Sequence, residues 1–321
     1  MNKPIKLSKQ ATLYLEPRFP FNFKGTFKKP SHFPSKLVIC GENRIFQSIE
    51  IEGSIFGLEI FDCHPRIGIA IYGKRRISEQ VKNAIKVEIA FRYNTNGDVS
   101  DFVQGFRRDK ILSGPINRWA GMRPSTAYSL YGFLMVATVL QNATVKRTVQ
   151  MMDALLQKYG KRLAFARVEL YAIWTPNRIE SVSEEDLRAL RVGYRAKNIK
   201  RISQFFASNP SLESSFRRIS NKEELKKSLL KIYGVGPQSV SYLLFEAFHF
   251  YDALDHFSPW EAKIVSMLLY GNKDARPKDI LADVERRWGP WRMLAVHYIF
   301  EDIFWRMERE KIPWLEEEIR M

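Results

Sequence analysis

Three carboxylates stand close together late in the chain, in Phe250-Tyr251-Asp252-Ala253-Leu254-Asp255-His256-Phe257-Ser258-Pro259-Trp260-Glu261. A carboxylate can activate water or oppose a developing positive charge, so Asp252, Asp255 and Glu261 are the first candidates for chemistry. Just upstream, Leu229-Leu230-Lys231-Ile232-Tyr233-Gly234-Val235-Gly236-Pro237-Gln238-Ser239-Val240-Ser241-Tyr242 reads as a helix, a tight turn and a second helix. Gly234 and Gly236 permit backbone angles that a side chain resists, and Pro237 suits a first helical turn. Such a turn presents free N–H groups at a helix start, which suit a phosphate oxygen.

The elements that must position these residues follow from pattern. Short β-branched and aromatic runs at 12–15, 36–40, 45–51, 55–61 and 67–72, separated by Pro, Gly and Asn, predict antiparallel strands. From Ser78 the period becomes helical, and after the turn cluster 93–98 everything reads as helix. The expected helices cover 129–140, 145–159, 184–190, 195–207, 220–233, 259–269, 278–288 and 291–309. Ser258, Pro259 and Glu261 form a capping box at the start of one of them. The fold class is α+β: a β-rich N-terminal domain over 1–95, then a helical domain over 96–321 with its helical hairpin at 221–247.

Lys plus Arg number 51 against 35 Asp plus Glu, a net charge of +16, which favours a polyanionic partner. Cys40 and Cys63 are too few for a disulfide framework or a four-cysteine iron–sulfur cluster, so no cofactor is expected. With five His and no spaced partner for His256, no metal site is expected either. No apolar run reaches the roughly 20 residues of a membrane span. The N-terminus shows no signal peptide, and an intracellular setting without membrane association is the simpler expectation.

The Gly-Val-Gly turn resembles the helix-hairpin-helix of the DNA glycosylase superfamily. Further segments match that family in the same order: Gly121-Met122-Arg123-Pro124 with Tyr128-Ser129-Leu130-Tyr131-Gly132-Phe133, then Val139-Leu140-Gln141-Asn142-Ala143-Thr144. Val192-Gly193-Tyr194-Arg195-Ala196-Lys197-Asn198-Ile199 follows, and Trp288-Gly289-Pro290-Trp291-Arg292-Met293-Leu294-Ala295 resembles the last helix of the 3-methyladenine DNA glycosylase II branch.

The resemblance implies a monomer that acts on double-stranded DNA, flipping a damaged base and hydrolysing its N-glycosidic bond, with alkylated purines favoured. It implies phosphate contacts from Gly234, Val235, Gly236, Gln238 and Ser239, with room at the hairpin for a monovalent cation. Asn142, with Gln141 beside it, is implied as the wedge, and Arg123, Arg195 and Lys197 as phosphate contacts. Trp119, Tyr128, Trp260 and Trp291 are expected to line the base pocket.

Two departures matter. Ser258 stands where the family has its catalytic Asp, which leaves Asp255 as the favoured carboxylate, with Glu261 and Asp252 as alternatives. Gln238 occupies the position of the lysine of bifunctional members, which implies hydrolysis without strand cleavage. Ser258 also motivates a second reading, a non-catalytic DNA-binding protein on the same fold, and an 8-oxoguanine glycosylase is a third.

Overall fold

The computed structural model describes residues 3–32 and 34–318. Five strands form an antiparallel sheet in the order β2-β6-β5-β4-β3: β2 Ser8–Leu15, β3 Val38–Cys40, β4 Arg44–Ile51, β5 Ser54–Cys63 and β6 Arg66–Gly73. These match the expected strands because alternating Ile, Leu and Phe side chains have one face to bury. Leu58, Ile60, Ile69 and Ile71 are fully enclosed with Ile85 and Ile89 of a covering helix.

The helices run α1 Phe23–Phe27, α2 Glu79–Arg92, α3 Ser100–Phe106, α4 Ser113–Trp119, α5 Leu130–Leu140, α6 Val145–Tyr159, α7 Pro176–Glu180 and α8 Glu184–Ala189. They continue with α9 Arg195–Ser208, α10 Leu212–Phe216, α11 Lys222–Leu229, α12 Pro237–Tyr242, α13 Pro259–Tyr270, α14 Pro277–Trp288, α15 Arg292–Met307 and α16 Pro313–Glu318. Serine caps at 78 and 129 start α2 and α5 as their sequences require.

The expectation of helix alone after residue 98 is corrected by a second sheet, β1-β7-β8. β7 Lys161–Phe165 and β8 Val168–Ala172 form a hairpin, and β1 Ile5–Lys6 pairs parallel to β7. Its two turn residues, Ala166 and Arg167, both have positive φ, the geometry of a tight hairpin turn that usually selects Asn or Gly. Phe165 then lies over Gly57 of β5, where a Cβ would come within 2.6 Å of its ring. Gly57 is there for this close approach, which joins the two sheets.

A large apolar core unites α3 to α15, including Leu134, Val139, Leu155, Ile199, Leu229, Val240, Leu244 and Leu294. It fixes the hairpin α11–α12 against α5, α9 and α15. α12 passes directly into a π-helical turn, Leu243–Ala247, a local widening found often at functional sites.

Candidate active site

The hairpin turn is built as its residues require. Gly234 has φ +75°, and a Cβ there would also meet Asn198 at 3.0 Å. Gly236 precedes α12 as its N-cap and Pro237 opens the helix. Val235 is buried and anchors the turn, while Gln238 is exposed and Ser239 half-buried on the outer side.

The turn after α5 is fastened to this hairpin. The Gln141 side chain donates to the Gly234 carbonyl at 3.2 Å, and the Tyr194 hydroxyl donates to the Gln141 carbonyl at 3.3 Å. Asn142 is exposed at φ +48°, with its amide 3.4 Å from the Tyr194 hydroxyl. Lys197 and Arg201 lie over the exposed Tyr233 ring at 5.9 and 4.2 Å. Gly234, Gln238, Ser239, Gln141, Asn142 and Lys197 therefore share one surface.

Two expected phosphate contacts are positioned otherwise. Arg195 is buried and donates to the Gln141 carbonyl while covering Tyr194, so it holds the turn after α5 in place. Arg123 is fully enclosed and donates to the carbonyls of Gly121, Arg18 and Pro20.

The carboxylates separate sharply. Asp255 is exposed and ion-paired with Lys226 of α11, and Asp252 with Lys222 at 2.5 Å. In this arrangement each of the two is held by a lysine of α11. Glu261 is the carboxylate at the mouth of the hairpin. It accepts from the Ser258 amide at 2.8 Å, the return half of the capping box, and from the Ser258 hydroxyl. The same carboxylate accepts from Gln238 at 3.3 Å and from the Tyr242 hydroxyl. Glu261 thus links the residue at the bifunctional-lysine position with the residue at the family's Asp position. Tyr242 was missed by sequence reasoning, because its role depends on the packing of α12 against α13.

Glu261 is 7% exposed. Burial pushes its carboxyl up to about 7, against the lowering effects of the Ser258 amide and Gln238. A raised acid favours the folded state while protonated. Its contribution is full below the ordinary 4.5 and is lost as pH rises through about 7. Wild type should therefore lose melting temperature relative to Glu261→Gln between about pH 5 and about pH 8. A difference that stays constant over that range contradicts a buried, titrating Glu261.

The expected aromatic pocket does not assemble as one cage. Trp119 stacks on Trp305 at 5.1 Å and donates to Asp302 at 2.9 Å. Trp291 stacks on Tyr251 at 5.2 Å. Trp291 immediately precedes α15 and Trp305 lies near its other end, about 20 Å along the axis. Trp119 is buried in the core, and Trp291 packs half-buried against it. Tyr128 is half-buried, and burial raises its hydroxyl. Trp260 is 43% exposed beside Glu261, edge-on to Phe300 at 6.1 Å, and is the one of the four next to the carboxylate.

With the turn after α5 and the buried carboxylate both in contact with the helical hairpin, the architecture is that of a helix-hairpin-helix DNA repair protein. Residues 135–306 match the family model described as HhH-GPD superfamily base excision DNA repair protein. The chain belongs to this superfamily. A DNA-3-methyladenine glycosylase of Bacillus subtilis (strain 168) is 19% identical over 269 residues, covering 82% of this chain and 88% of that protein. The 3-methyladenine DNA-glycosylase from Archaeoglobus fulgidus has a TM-score of 0.73 at 16% identity, covering 91% of this chain and 98% of that one. The Clostridium acetobutylicum 8-oxoguanine glycosylase/lyase in its apo-form has a TM-score of 0.68 at 18% identity, covering 92% and 98%. These homologues and neighbours are DNA glycosylases of base excision repair, and the two structural likenesses concern the fold.

Proposed function

We propose that this chain is a monofunctional DNA glycosylase that binds duplex DNA, takes a damaged base out of the stack and hydrolyses its N-glycosidic bond. The observation that carries this reading is the buried Glu261 carboxylate at the mouth of the hairpin, joined to Gln238, Tyr242 and Ser258. The hairpin amides hold phosphate, and Asn142 fills the gap left in the duplex. As the C–N bond breaks, the base leaves with the bonding electron pair and the sugar carbon becomes cationic. The Glu261 carboxylate opposes that charge and takes the proton of the attacking water. Gln238 has no amine to form an imine, so the strand stays intact.

Ser258 favours the second reading, a DNA-binding protein without catalysis, because Glu261 is engaged in capping its own helix. Product analysis separates the two. The expected products from a duplex carrying one damaged base are free base and an abasic strand that breaks only on alkaline treatment, with no complex trapped by borohydride. Tight duplex binding with no base released from any lesion contradicts the catalytic reading, and a trapped complex contradicts the monofunctional one.

A further inference from the structure

The two oxygens of Glu261 are used unequally. Oε2 takes three donors: the Ser258 amide at 2.8 Å, the Ser258 hydroxyl, and the Gln238 side chain at 3.3 Å. A carboxylate oxygen offers about two lone-pair sites, so Oε2 is fully committed to the start of α13 and to the hairpin. Among the described residues Oε1 takes one donor, the Tyr242 hydroxyl. It keeps a lone pair for a further partner.

Helix spacing makes this grip. Gln238 and Tyr242 are four residues apart in α12 and so lie on one of its faces. Glu261, in the first turn of α13, meets both, one on each oxygen. Tyr242 is the last residue of α12, and the π-helical turn begins at the next residue, Leu243. Val240 and Leu243 nearby are fully enclosed, and the Tyr242 ring packs half-buried against the same core. Core packing therefore sets where the hydroxyl stands, and the carboxylate comes to it.

The same bond acts on charge. Burial opposes ionisation of Glu261, and a hydrogen bond donated to the carboxylate favours it. Among the described residues no Lys, Arg or His pairs with Glu261, and Lys263 of the same helix pairs with Glu318 instead, at 3.3 Å. The serine and glutamine on Oε2 carry no charge. Tyr242 is thus the one ionisable side chain bonded to Glu261 among the described residues, and loss of its hydroxyl leaves Oε1 without a donor.

We propose that Tyr242 is a positioning residue for base release: its hydroxyl holds Glu261 Oε1, the oxygen that the helix cap leaves over, ready to accept the proton of the attacking water while Oε2 starts α13; this rests on the glycosylase reading above. One carboxylate then does both tasks, and its capping role ceases to argue against catalysis. The test is Tyr242→Phe in the full chain, which keeps the ring and its packing and removes only the hydroxyl. Single-turnover release is followed from about pH 5 to about pH 9 on duplexes carrying one 7-methylguanine, one 8-oxoguanine or one hypoxanthine. Wild type should show a midpoint at about 7 on the base it releases. Tyr242→Phe should raise that midpoint by about one pH unit, which reads as about fivefold slower release at about pH 7 and near-complete recovery at about pH 9. Affinity for a duplex with a base-less tetrahydrofuran site should not change. A tyrosine that only supports packing would leave the midpoint where it is, so an unmoved midpoint, with or without an equal loss of rate at every pH, overturns the assignment alone. No release by wild type from any of the three duplexes overturns the proposed function and this assignment with it.

Discussion

Glu261→Gln should lower single-turnover base release by about 10²–10⁴-fold at about pH 8, the range a positioned general acid or base contributes. The substitution keeps the shape of the side chain and an oxygen for the Ser258 amide, so the start of α13 is preserved. It removes the negative charge, and with it both the opposition to a cationic sugar and the acceptor for a proton from water. In the proposed function, duplex binding rests on the hairpin backbone and the Gln141–Asn142 turn, and Glu261 touches these only through the Gln238 side chain. Affinity should therefore change little while the rate collapses. In wild type, base release should rise with pH toward a plateau above about 7, where Glu261 ionises. A Glu261→Gln protein with wild-type kinetics would leave Glu261 as a helix cap only.

Glu88→Ala should destabilise the protein by about 3 kcal/mol, the lower end of the effect of stripping one partner from a buried ion pair, since these side chains retain some solvent contact. Glu88 of α2 receives Arg92 at 2.6 Å and both terminal nitrogens of Arg217, at 2.5 and 2.8 Å. Arg217 also pairs with Glu213, whose other oxygen accepts from the Leu130 amide at 3.0 Å. This network ties the helix that covers the sheet to α5 and α10 of the helical core. Removing Glu88 leaves two guanidinium groups facing each other. Burial raises the Glu88 carboxyl, but the two arginines win and hold it at about 2. Its stabilisation is thus present above the ordinary 4.5 and is lost as pH falls through about 2. Urea unfolding of wild type and Glu88→Ala at neutral pH measures the loss. A difference below about 1 kcal/mol would place this network among ordinary surface pairs.

The strands and most helices were legible because their signals are local. Alternation within Ile45–Ile51 and Ile67–Tyr72, and serine caps at 78, 129 and 258, need no knowledge of distant residues. The β7–β8 hairpin was hidden because Ala166-Arg167 adopts a turn that its residue types do not advertise. The hairpin turn and the Gln141–Asn142 turn were legible from motif and spacing, yet Arg195 was not, since a buried arginine looks like an exposed one in sequence. The contacts of Glu261 were hidden for a related reason. Glu261 looked sufficiently explained as a capping partner, and only tertiary packing brings Gln238 and Tyr242 onto it. Trp119 and Trp291 carry aromatic faces suited to a pocket, but Trp305 and Tyr251 cover them. Lys29 and His297 meet across most of the chain, a pairing that no periodicity announces.

The most direct test of the central claim sets Glu261→Gln beside Asp255→Asn in single-turnover base release from one damaged duplex. Asp255 is paired with Lys226 on the surface, so Asp255→Asn should retain nearly wild-type release while Glu261→Gln loses it. Loss of release in Asp255→Asn with full activity in Glu261→Gln would contradict the account and return catalysis to the loop before α13.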